Sequence, residues 1–152
     1  MSSFQPGIGS KTGSAITSST ANIKIISDVN TFDALNTGYA DQFNTSGTVT
    51  IEPYSTSFSS AQTYPITGLT LASTVSALTI GKLNNTANIT FGSATSIAGP
   101  ITAYGGTVAV NANLTSTGTT GTGISLNGQK IIQAAGVTVS TSGANIDYLA
   151  AN

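Results

Sequence analysis

Residues 88–113 read NITFGSATSIAGPITAYGGTVAVNAN. Ile89, Phe91, Ile97, Ile101, Ala103, Val108 and Val110 alternate with Thr, Ser, Ala and Tyr. A period of two sends successive side chains to opposite faces of a strand, so the apolar set shares one face. Gly92, Gly99-Pro100 and Gly105-Gly106 punctuate the alternation, and such residues mark turns. The stretch carries no charge, no His and no Cys. It is equipped to form an interior and a surface, and it offers few groups for a reaction.

The same grammar runs through the chain. Alternating runs occur at 21–26 (ANIKII), 48–51 (TVTI), 69–71 (LTL), 78–80 (LTI), 88–91 (NITF), 101–104 (ITAY), 107–110 (TVAV), 124–126 (ISL), 137–139 (VTV) and 145–149 (NIDYL). Each has strand length. Turn signals separate them, including Gly47, Gly81, Asn84-Asn85, Gly105-Gly106, Asn127-Gly128, Gly136 and Gly143. No window of ten or more residues has a sustained helical period. The nearest is 33–43 (DALNTGYADQF), where Gly38 weakens the pattern, and we read it as a loop or short helical turn.

Composition sets the class. The 152 residues suit one domain. Only 6% are charged, against roughly 25% in ordinary globular chains. Ser, Thr, Gly and Asn make up about half, yet 39% of residues are hydrophobic and the net charge is −1. Disorder needs low hydrophobicity with high net charge, which this chain lacks. β-Branched residues set singly among Thr and Ser favour strands. A charge near zero, with four scattered lysines and no Arg, gives no reason to expect nucleic acid. No apolar run approaches the roughly 18 residues of a membrane helix, so membrane insertion is not expected. The first residues lack the apolar core of a secretory signal, so an exported form would draw its signal from elsewhere.

Ile51, Leu71, Phe91, Val110, Leu126 and Ile146 recur at spacings of 20, 20, 19, 16 and 20 residues. A period of about 20 residues fits one coil of a β-solenoid. In such a fold Val, Ile, Leu, Ala and Thr fill a narrow interior, and backbone hydrogen bonds join coil to coil. Few ion pairs are then needed. The rival all-β reading is a β-sandwich with strands every 8–12 residues. It is less favoured here because the chain has five Phe, five Tyr and no Trp for a heavy aromatic core. Residues 1–45 hold three of the five acids and four aromatics. We read them as an irregular segment or cap, and 46–152 as the solenoid. A cap protects an otherwise open sheet edge.

GTVTIEP (47–53), LTIGKLNNTANITFGSA (78–94), GPITAYGG followed by NANLTSTG (99–118), and VTVSTSGANI (137–146) resemble the repeat regions of giant bacterial surface proteins, the filamentous-haemagglutinin-like adhesins. The resemblance covers about two thirds of the chain. It implies a right-handed parallel β-helix, export to the cell surface, and a structural or adhesive role. It carries over no catalytic residue.

The chemistry is sparse. Without His or Cys the usual bases, nucleophile pairs and thiolate metal sites are missing. Asp28, Asp33, Asp41, Glu52 and Asp147 are the only acids, scattered mostly outside the regular runs. DVNTFD (28–33) lacks the Gly and closing Glu of a helix–loop–helix calcium site. We expect no enzyme activity, no metal and no cofactor. Thr48 and Thr50, and Thr115 and Thr117, each place two hydroxyls on one face and are the candidate surface for ice or glycan. Tyr54, Tyr64 and Tyr104 are candidates for stacking on sugars, or for burial. Ile23, Ile25, Val137, Val139, Ile146 and Tyr148 are the candidate edges for end-to-end assembly. The expected partners are therefore other copies of the chain or surface glycans. N-x-Ser/Thr triplets stand at Asn44, Asn84, Asn88 and Asn113.

Overall fold

A computed structural model describes residues 15–17, 20–29, 41–64 and 69–151. Fourteen strands follow one another in the described chain: β1 (Ala15–Thr17), β2 (Ile23–Ile26), β3 (Asp41–Asn44), β4 (Thr48–Glu52), β5 (Gln62–Tyr64), β6 (Leu69–Leu71), β7 (Ala77–Ile80), β8 (Ile89–Phe91), β9 (Thr95–Ile97), β10 (Ile101–Val110), β11 (Leu114–Ser116), β12 (Thr122–Gln133), β13 (Val139–Thr141) and β14 (Asn145–Ala150). Every pairing is parallel. The chain therefore winds as a β-solenoid of about five turns, not as a sandwich.

Register fixes what stacks on what. One inward row runs Ile23, Val49, Leu78, Ile101, Ile124, Ile146. A second runs Ile25, Ile51, Ile80, Ala103, Leu126, Tyr148. A second face stacks Tyr64, Phe91, Val110 and Gln133 through β5, β8, β10 and β12. A third stacks Thr95, Leu114 and Val139 through β9, β11 and β13. Val49, Leu78, Ile101, Ile124 and Leu126 are wholly buried, so these rows are the core. Alternation puts polar partners outside: β4 reads half-buried, buried, half-buried, buried, half-buried along TVTIE. Row partners lie 19 (Phe91 to Val110, Thr95 to Leu114) to 29 (Val49 to Leu78) residues apart. The turn thus varies from the roughly 20 residues read from the sequence up to 29, and the first full coils are the longest.

The apparent sequence period mixes faces. Ile51 and Leu126 line the first face, Phe91 and Val110 the second, and Leu71 lies on the separate β1–β3–β6 sheet. Of those neighbouring positions only Phe91 and Val110 are true stacking partners. Each coil contains several apolar–polar–apolar triplets, so triplets from different faces mimic a shorter repeat.

Gly105-Gly106 and Asn127-Gly128 do not end strands. β10 and β12 pass straight through them, and Gly105 lies beside Gly128 in register. The first half of β10 pairs with β7 and the second with β8, so one strand covers two faces and the bend between them. The gap between β7 and β8 is a loop that Asn85 holds. Its side chain is 5% exposed. Asn85 Oδ1 accepts from Phe58 N–H at 3.1 Å and from the Ser57 hydroxyl at 2.9 Å. Asn85 Nδ2 donates to the Tyr104 carbonyl at 2.6 Å and the Ala87 carbonyl at 3.3 Å. One amide thus satisfies backbone groups of three successive coils, which a buried polar group must do to avoid a desolvation cost. Further amide clamps repeat along the stack: Asn22, Asn88 and Asn113 each offer Oδ1 to an N–H of the next coil, those of Thr48, Thr107 and Thr138, at 2.8–2.9 Å.

Within 1–45, β2 already stacks on β4 and β1 on β3. Of the loop expected at 33–43, residues 33–40 lie outside the described residues, as do Phe4, Phe32 and Asp33, and Phe43 is buried in β3.

Candidate functional site

Five charged side chains are occupied locally. Asp28 accepts from the Ser55 N–H at 2.7 Å and the Ser55 hydroxyl at 2.8 Å. These hydrogen bonds hold its carboxyl below the ordinary carboxylate range. Glu52 pairs with Lys24 at 2.9 Å. Asp147 accepts from the Thr122 hydroxyl at 3.2 Å. The Lys82 ammonium donates to the Pro53 and Tyr54 carbonyls at 3.0 and 3.2 Å. Among the described residues no three acids, histidines or cysteines gather in a metal-like group.

Thr48 and Thr50 stand outward on β4, and Thr115 outward on β11 with Thr117 just beyond it. The two pairs lie on different sheets and do not share a surface. The register reveals a different row. Thr50, Thr79, Thr102 and Ser125 stack in four consecutive coils on the outer side of the first face. Lys24 precedes this row on β2 and Asp147 follows it on β14. Neighbouring rungs stand about 4.8 Å apart. A sequence pattern alone could not show it, because the partners are 23 to 29 residues apart and the interval varies. A shorter row, Ser96, Thr115 and Ser140, lies on the third face, where the Thr115 and Ser140 hydroxyls are 3.3 Å apart.

Two residues beyond Thr102 and Ser125, on the same outward side, come Tyr104 and Asn127, which are register partners. They line a groove of about 530 Å³ with Leu83, Asn84, Gln129 and Leu149. Gly105, Gly106 and Gly128 also line it and contribute backbone alone. Among the described residues no charged side chain lines it. Tyr104 is half-buried and Leu83 is 72% exposed. Of the other two tyrosines singled out by sequence, Tyr54 is 80% exposed and Tyr64 is buried.

The candidate edges differ from one end of the stack to the other. Ile23 is buried and Ile25 half-buried. Ile146 and Tyr148 occupy the same two inward rows at the far end, yet they are 41% and 43% exposed. Val137 and Val139 are half-buried against the core. The Tyr148 hydroxyl reaches Gln133 Oε1 at 2.7 Å and partly roofs this end. No family model, no curated protein and no solved structure matches the chain.

Proposed function

We propose that the chain is a structural and adhesive β-solenoid segment of an exported bacterial surface protein, able to join end to end. The observation that carries the reading is the unbroken inward row from Ile23 to Ile146. A row of this kind makes a stiff column whose function lies in its shape. The outward hydroxyls and amides, and the resemblance of its repeats to giant surface adhesins, support the extracellular and adhesive part.

End-to-end joining has a specific support. If β2 of one copy adds beside β14 of another in the same register, Ile23 meets Ile146 and Ile25 meets Tyr148. Lys24 then falls opposite Asp147, which is the charge-complementary partner. Strand addition of this type gives the backbone groups of both joined strands hydrogen-bond partners.

Negative-stain electron microscopy at physiological salt tests this. Filaments of uniform width are expected, lengthening with concentration. Asp147→Lys should shorten them, and Lys24→Asp in the same chain should restore them. A monodisperse 15.1 kDa species at all concentrations overturns the end-to-end reading.

A further inference from the structure

We infer that the groove beside the hydroxyl row binds a neutral, unsulfated hexopyranose chain. This deepens the adhesive part of the reading above and rests on it.

The first support is what the groove lacks. Among the described residues no Asp, Glu or Lys lines it, so their side chains offer an anionic or cationic ligand no counter-charge. The second is what its amides have left over. Asn85, on the same loop, uses all of its side chain on backbone and hydroxyl partners and serves the fold. Asn127 spends only Nδ2, on the Ala103 and Ser125 carbonyls and the Ser125 hydroxyl at 3.1–3.4 Å. Those bonds hold the amide in place and leave Oδ1 as an acceptor. Asn84 and Gln129 make no side-chain hydrogen bond to the described residues. Fixed and free amides together offer both donors and acceptors, which vicinal sugar hydroxyls need.

The third support is the shape of the apolar part. Tyr104 lines the groove from an outward strand position, Leu83 stands in the coil on one side of it, and Leu149 stands two coils away on the other side, beyond Asn127. A pyranose has an apolar C–H face that packs on an aromatic ring, while its hydroxyls point to the rim. Tyr serves this well because its body is apolar and its tip polar. A few placed polar groups around apolar walls is the usual make-up of a ligand groove. The row Thr50, Thr79, Thr102, Ser125 runs directly beside it, so a longer chain finds further hydroxyls.

The test is NMR titration of the intact chain with cellohexaose, maltohexaose and mannohexaose, and with a heparin-derived hexasaccharide as the anionic comparison. At least one neutral hexasaccharide should move the amide signals of residues 83–86, 104–106 and 127–129. Tyr104→Ala should weaken its binding at least tenfold, and Asn127→Ala several-fold. Thr115→Ala, on the third face, should leave binding unchanged. Tyr104 and Thr115 both point outward, and a retained circular-dichroism melt will show that the variants still fold. The inference is overturned if no neutral hexasaccharide binds up to 10 mM (on the order of the weakest useful contact, about 3 kcal/mol), or if only the heparin fragment binds. It is equally overturned if the shifts fall on the third face, if the groove signals move with protein concentration alone, or if the chain shapes ice crystals while ignoring sugars. Filaments without sugar binding would leave the end-to-end reading standing and remove only this one.

Discussion

At the scale of single residues, Tyr64 is the most exposed to test. It is buried, its ring meets Phe91 edge to face at 6.0 Å and 74°, and its hydroxyl has no hydrogen-bond partner among the described residues. Burial raises its pKa far above the ordinary value, because the phenolate would sit in an apolar core. The direction fixes the sign. The folded pKa lies above the unfolded value of about 10, so the stability linked to Tyr64 is complete below pH 10 and is lost as pH rises beyond it. The loss should approach about 1.4 kcal/mol per pH unit for this one proton. Tyr64→Phe removes a buried hydroxyl that has no partner among the described residues, so at pH 7 we expect stability within about 1 kcal/mol of the parent or slightly higher. Denaturant titrations from pH 8 to 11.5 check both: the parent curve should fall above pH 10 and the Tyr64→Phe curve should fall less steeply. Parallel curves for the two proteins would mean that Tyr64 ionises without unfolding. The sequence could name Tyr54, Tyr64 and Tyr104 as aromatic positions but could not sort them. Their surroundings depend on which coil lies above and below, and only register gives that.

At the scale of elements, the alternating runs were legible because period two is a local property. TVTI, LTL, LTI and NITF each fall in a strand within a residue or so. Short strands such as β5 (Gln62–Tyr64) and β9 (Thr95–Ile97) were not legible, since Gln62 and Thr95 occupy inward positions where the pattern expects an apolar residue. The Gly105-Gly106 and Asn127-Gly128 pairs misled for another reason. Glycine signals a turn when freedom of φ is needed, but it also serves where another backbone comes too close for a side chain. A Cβ on Gly106 would run into the Thr86 carbonyl oxygen of the coil above. Gly106→Ala should therefore cost about 1–3 kcal/mol, the range for overpacking a tight site. Gly121 is the contrast: it has φ +71° and open space around its Cα, so Gly121→Ala meets only backbone strain, about 1 kcal/mol. Thermal melts of the two variants should place Gly106→Ala lower by several degrees. Equal melts would show that the bend in β10 yields to admit a methyl group.

At the scale of the whole molecule, a solenoid distributes stability as nearest-neighbour contacts between coils, so position along the stack matters more than residue type. Ile124 and Ile146 are the same residue in the same row, one coil apart. Ile124 has a coil on both sides and is wholly buried, whereas Ile146 has one coil beneath it and is 41% exposed. Ile124→Ala should cost about 3 kcal/mol, within the range for buried Ile. Ile146→Ala should cost about 1 kcal/mol in dilute solution, since much of that side chain never left water. The same pair reports on assembly. If a second copy covers the Ile146 end, folded protein is stabilised by mass action, and the cost of Ile146→Ala must grow with protein concentration while that of Ile124→Ala stays fixed. Denaturant midpoints measured at micromolar and at millimolar protein separate the cases. A gap between the two variants that does not change with concentration would place the end of the stack in water and argue against joining of copies there.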